Sequence, residues 1–86
     1  MHHTAILISM ILIDVRTPEE HAAGHVPSSI NLPLDRIAAG DMPPVDLAEK
    51  IVVYCRSGGR SAQAKQILEQ YGYTNVTNGG GIHDMM

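Results

Sequence analysis

Ile51-Val52-Val53-Tyr54-Cys55-Arg56-Ser57-Gly58-Gly59-Arg60-Ser61 is the stretch that decides how this chain reads. The β-branched run closed by a tyrosine predicts a strand, the two glycines a tight loop, and a helical pattern opens near Ser61. In a strand–loop–helix unit the backbone N–H groups of the loop can converge on one point, and the helix dipole favours negative charge there. Cys55, the single cysteine of the chain, sits at the mouth of that cradle with Arg56 and Arg60 beside it. Both features lower a thiol's pKa and make it nucleophilic near neutral pH. A lone free cysteine is more often a small packing residue. Two arginines and two glycines contribute nothing to packing, so the reactive reading is preferred.

Spacing narrows the chemistry. Four residues separate Cys55 from Arg60, whereas a cysteine-dependent phosphatase loop places its arginine one residue further on, to wrap a tetrahedral phosphate. The smaller ring of amides suits one extra sulfur atom better than a phosphoryl group. Two further segments accompany the loop. One is Asp14-Val15-Arg16-Thr17-Pro18-Glu19-Glu20 with Gly24-His25-Val26-Pro27 and Ile30-Asn31-Leu32-Pro33; the other is Gly72-Tyr73 to Val76 with Gly79-Gly80-Gly81-Ile82. Together, and in this order, the three segments resemble the rhodanese homology domain, a family of sulfurtransferases, with the small single-domain phage-shock type most similar.

The resemblance implies a small parallel α/β sheet flanked by helices and a persulfide carried on Cys55. It implies transfer in two halves, from thiosulfate or a similar sulfane donor to Cys55, then from the persulfide to cyanide or a thiol acceptor. No metal or organic cofactor is required. Arg56, Ser57, Gly58, Gly59, Arg60 and Ser61 are the candidate substrate-binding set. Arg60 either holds the anionic donor or shapes the loop. Arg56 either attracts the donor or points to solvent. Ser57 and Ser61 can donate hydroxyl hydrogen bonds to the persulfide, while Ser61 can equally cap the helix. Gly58 and Gly59 allow the tight turn and close backbone approach. Asp14, Arg16 and Glu20 match positions that support the loop, with Arg16 expected to pair with Glu20 or Glu19 and Asp14 to take a hydrogen bond near the loop.

The whole chain agrees with one domain over residues 1–86, near the lower size limit for a self-sufficient core. Lys+Arg 6 against Asp+Glu 9 gives a net charge of −3. That mild acidity offers no electrostatic footprint for nucleic acid or an anionic membrane. One cysteine excludes an internal disulfide, a CxxC pair and a cysteine-rich zinc site. The apolar stretch Ala5 to Ile13 lacks a basic flank and a cleavage site, is too short to span a bilayer, and is expected to be a first strand. The expected compartment is the cytoplasm, with a mature periplasmic form as the alternative. His2 and His3 are given no role, and the spacing of His21, His25 and His83 fits no metal-ligand pair.

Along the chain, Ile11-Leu12-Ile13 reads as a strand buried on both faces, ended by Asp14 at the carboxyl edge. Thr17-Pro18-Glu19-Glu20 reads as a capped helix start that stops at Gly24. Ser29 to Leu32 is a short strand candidate, and Leu34 to Ala39 a helix ending at Gly40. From Ser61, the residues Ala64, Ile67, Leu68 and Tyr71 form one helical stripe, closed by Gly72. Asn75 to Asn78 is the last strand candidate. The chain departs from the family pattern where an aromatic is usual (His21), where Gly-Ala is usual (Ser28-Ser29), and after the closing glycines (His83 to Met86). These departures thin a small core without touching the loop.

Three rival readings use the same sequence. A sulfur-relay module would accept sulfur from one protein and pass it to another. An arsenate reductase or phosphatase is disfavoured by the loop spacing. An inactive regulatory module is disfavoured by the presence of Cys55 and Arg60.

Overall fold

A computed structural model describes residues 10–85. The expected first strand survives as β1 (Met10–Asp14), and the part of the Ala5 to Ile13 stretch before Met10, like His2 and His3, lies outside the described residues. Then come α1 (Pro18–Ala23), β2 (Ile30–Asn31), α2 (Leu34–Ala38), β3 (Lys50–Cys55), α3 (Gly59–Gln70), β4 (Val76–Gly81) and α4 (Ile82–Met85). The four strands form one parallel sheet in the order β2-β1-β3-β4. β1 and β3 lie side by side at its centre, so Asp14 and Cys55 finish at the same carboxyl edge. Strands joined through helices are what a parallel sheet requires.

The core is made by Ile13, Val15, Ile37, Ile51, Val53, Ala64, Leu68, Tyr73 and Val76, and Cys55 is buried among them. α3 packs over β3 and β4, with α2 against it. Of the predicted helical stripe, Ala64 and Leu68 are fully buried and Ile67 partly so, but Tyr71 is 51% exposed. Tyr71 is the C-cap residue of α3, so the stripe runs out before it. Tyr73 takes the buried place instead, its hydroxyl donating to the Pro43 carbonyl at 2.7 Å. A tyrosine fits a core when its hydroxyl finds such a partner.

The strand bounds differ from expectation in two places. β2 keeps only Ile30–Asn31 of the Ser29 to Leu32 stretch, because Ser29 turns inward to Tyr54. β4 runs from Val76 through three glycines to Gly81, past the end expected at Asn78, although glycine has a weak strand preference. Pairing with β3 overrides that preference. A register shift pairs Val53 with Asn78 but Tyr54 with Gly80, leaving Gly79 as a bulge. At Gly81 a Cβ would come within 2.5 Å of the Arg56 carbonyl, so only glycine lets β4 approach the loop after β3 this closely.

Candidate active site

Cys55 is the last residue of β3, and the chain turns immediately through Arg56, Ser57 and Gly58 into α3. Gly58 makes the turn in the left-handed region, at φ 99°, where a side chain would be strained. The consequence is convergence on one atom. The Gly58 N–H donates to Cys55 Sγ at 2.9 Å and the Ser61 N–H at 3.4 Å, and the Ser61 hydroxyl lies 3.5 Å away. Burial pushes the thiol's pKa up, but hydrogen bonding to the thiolate outweighs it, from the Ser61 side chain once its proton turns to sulfur and from the N–H groups of Ser61, Ser57 and Gly58. The result is a pKa pushed down to about 7. The backbone dipoles differ from the hydroxyl in one respect. They are fixed by the turn and need no reorganisation when charge appears on sulfur.

The sequence-predicted residues are placed as follows. Arg56, Ser57 and Gly59 are exposed on the outer side of the loop, whereas Cys55 is only 1% exposed. Ser61 is buried and stands third in α3. The cap position belongs to Gly58, so the capping role considered for Ser61 is not the one it has. Its hydroxyl instead meets Asn78 Oδ1 at 2.6 Å. Arg60 reaches away from the sulfur and donates to both carboxylate oxygens of Glu20, at 2.7 and 3.0 Å.

That pairing corrects one expectation. Arg16 pairs with neither Glu20 nor Glu19; it grips Asp14 with Nε and Nη2, at 2.9 and 2.7 Å, and donates to the Gly24 carbonyl at 2.6 Å. Asp14 is fully buried and needs a counter-charge at once, and Arg16, two residues on, is within reach as β1 ends. Glu20 is left to face α3. It completes the capping box with Thr17 and, through the same carboxylate, ties α1 to Arg60. The Arg60 hydrogen bonds, then the Thr17 N–H, push the Glu20 pKa down to about 2.

Sequence reasoning missed two residues. Tyr54, read only as the close of a strand, is fully buried, and its hydroxyl donates to Asp14 Oδ2 at 3.1 Å while accepting the Val26 N–H at 3.0 Å. Together with the Arg16 bonds and His21 Nδ1, 2.9 Å from Oδ2, it saturates Asp14. Burial raises the Asp14 pKa, but the hydrogen bonds from Arg16 and His21 and the Arg16 charge outweigh it, for a net fall. Asn78, at the bulge of β4, reaches across to Ser61 and to the Gly58 carbonyl. Its only sequence signal is an amide standing before a glycine run.

Comparison with known proteins agrees with this geometry. The family model described as "Rhodanese-like domain" matches residues 3–84. The chain belongs to the rhodanese-like family. Its activity is therefore sulfur transfer, and its fold is the family's small α/β sheet. The thiosulfate sulfurtransferase PspE of Escherichia coli is 43% identical over 74 residues, 85% of this rhodanese-like chain and 71% of that protein. A solved structure titled as a rhodanese with anions from E. coli superposes with a TM-score of 0.77 at 42% identity, covering 88% of this chain and 91% of that one. The human single-domain sulfurtransferase TSTD1 gives 0.79 at 31% identity, covering 90% and 80%. No helix among the described residues is long and apolar enough to cross a membrane.

Proposed function

We propose that residues 1–86 act as one rhodanese-like domain that moves sulfane sulfur from thiosulfate, or a similar donor, to cyanide or a thiol through a Cys55 persulfide. One observation carries this reading. The single cysteine has its sulfur at the focus of the loop N–H groups, with a pKa near neutrality. The Cys55 thiolate attacks the outer sulfur of thiosulfate. A new S–S bond forms, the old one breaks, and sulfite leaves with the bonding pair. Cyanide or a thiolate then attacks the outer sulfur of the persulfide, and the Cys55 thiolate departs ready for another cycle. The loop amides hold negative charge on sulfur at both ends of the cycle.

Arg56, exposed on the loop, is the residue placed to draw in an anionic donor. Of the two roles open to Arg60, its ion pair with Glu20 supports shaping the loop. Ser57, Gly58, Gly59 and Ser61 complete the cradle, with Asp14, Arg16 and Glu20 as its support. The small acceptor can be replaced by a sulfur-accepting protein, since the same residues serve a relay. A thiolate nucleophile must be kept reduced, which favours the cytoplasm as its compartment.

The test is intact mass after incubation with thiosulfate, before and after adding cyanide. The expected result is a gain of one sulfur atom that cyanide removes and that Cys55→Ser does not acquire. No gain with thiosulfate, but a gain from a persulfidated protein donor, would favour the relay.

A further inference from the structure

The single proton of the Ser61 hydroxyl has three acceptors within reach. They are Asn78 Oδ1 at 2.6 Å, the Gly58 carbonyl at 3.1 Å and Cys55 Sγ at 3.5 Å. The orientation of the Asn78 amide is dictated by backbone on both sides. The Gly80 N–H can only donate, so the atom 2.9 Å from it is the oxygen; the Gly58 carbonyl can only accept, so the atom 3.2 Å from it is the nitrogen. The oxygen therefore also faces Ser61, and the serine hydroxyl must be the donor in that short bond. Its proton is committed to Asn78, and what Oγ turns towards sulfur is a lone pair.

A lone pair on that side favours the thiol, which can donate its S–H to Oγ, over the thiolate, which wants a donor. Any lowering of the Cys55 pKa by the hydroxyl requires the proton to swing from Asn78 to sulfur. The backbone N–H groups carry no such condition. We propose that Asn78 is a positioning residue that acts through Ser61 on the ionisation of Cys55, holding the hydroxyl proton while Cys55 is a thiol and giving it up as the thiolate forms. This rests on the reading of Cys55 as the nucleophile. It makes Asn78 a brake: the loop alone would hold the thiolate more strongly than it does.

The other charged and titratable groups of this edge are the same in every variant compared. Arg60 stands on α3, Arg56 on the loop, and Asp84 on α4, where it accepts the Gly81 N–H at 2.9 Å. Asp14, Arg16 and His21 lie behind Tyr54 at the end of β1 and on α1. None of them touches Asn78 or Ser61 by hydrogen bond.

The experiment is the rate of iodoacetamide alkylation of Cys55 against pH, in wild type, Asn78→Ala, Ser61→Ala and the double variant. Freed of Asn78, the hydroxyl can serve the thiolate, so Asn78→Ala should move the curve to lower pH by about one unit, roughly a fivefold faster reaction at pH 6. Ser61→Ala removes both the acceptor for S–H and the reluctant donor to the thiolate, so its curve should stay within about 0.3 unit of wild type. In the double variant the Asn78→Ala shift should vanish. A role confined to bracing the loop predicts the opposite sign, because loosened amides favour the thiol. An Asn78→Ala curve that stays put or moves upward overturns the proposal, as does a shift that persists without Ser61. If Asn78→Ala does not fold, Ser61→Ala decides alone, since a rise of about one unit would mean the hydroxyl already donates to sulfur. Alkylation reads the sulfur's ionisation whatever the donor is. Failure to load sulfur from thiosulfate, with these shifts present, therefore strikes the functional reading only.

Discussion

Two neighbouring parallel strands end at one edge of the sheet, and their ends use polar groups in opposite ways. After β1, the side chains of Asp14, Arg16, His21 and Tyr54 turn on one another until the buried carboxylate has donors on every side. After β3, the donors are backbone N–H groups, and they turn on a single ionisable sulfur. The first arrangement is saturated and structural. The second leaves its central atom free to change charge and to form a bond. Closely similar strand ends thus separate stability from reactivity, and the Tyr54 hydroxyl, one residue before Cys55, joins the two.

The sharpest way to break this comparison is Cys55→Ser. Sulfur transfer should fall to the rate without enzyme, while the urea midpoint below pH 7, where the thiol is neutral, stays close to wild type, because serine is nearly isosteric. Comparable transfer by the serine variant would sink the mechanism. Next in size is Asp14→Ala, which strands the buried Arg16 guanidinium. Unfolding free energy should fall by about 3 kcal/mol, read from urea denaturation, with alkylation of the folded fraction keeping its pH profile. A large shift in that profile with little loss of stability would reverse the roles assigned to the two strand ends.

The third prediction uses pH. The folded pKa of Cys55, about 7, lies below the ordinary thiol value of 9.0, so its contribution to stability is present above pH 9.0 and is lost as pH falls through 7. Wild type should therefore gain stability between those limits relative to Cys55→Ser, by at most about 3 kcal/mol. Parallel curves for the two proteins would mean that the loop does not hold the thiolate. Glu20 obeys the same sign in acid, its contribution fading as pH falls from 4.5 towards about 2.

Smaller effects sharpen the contrast. Ser28 occupies the left-handed region at φ 71°, in the turn that delivers Ser29 to Tyr54. Ser28→Gly should raise stability by about 1 kcal/mol, seen as a higher Tm, with no change in transfer rate. A fall in Tm would show that Ser28 is not strained. Smallest is Arg60→Ala, which unties α1 from α3. A partly exposed pair is worth about 0.5 kcal/mol, and the alkylation curve should move upward by less than half a pH unit. A shift of a full unit would restore Arg60 as a principal activator of the thiol.

Local patterns made much of this legible. The capping box at Thr17 and Glu20, the helix-ending glycines and the strand–loop–helix around Cys55 all depend on residues close in sequence. Tyr71 and the glycine run of β4 misled for a common reason. Intrinsic preference and helical spacing describe a segment alone, whereas its bounds were set by where α3 leaves the sheet and by the ladder β3 offers. Ion-pair partners were the least legible feature. Arg16 was expected to pair with Glu20 or Glu19, and nothing in the periodicity pointed to Asp14 two residues before it.

By itself the sequence determined the order of elements from β1 to β4, the family and the strand–loop–helix that carries Cys55, because each rests on a contiguous motif whose geometry is local. Only the tertiary structure decided that Arg60 belongs to Glu20, that Arg16 belongs to Asp14, and that Tyr54 and Asn78 reach into the same edge. Those contacts span 17 to 40 residues for Asn78, Tyr54 and Arg60. They follow from the register of parallel strands and the bulge at Gly79, which fix distances that no spacing along the chain encodes.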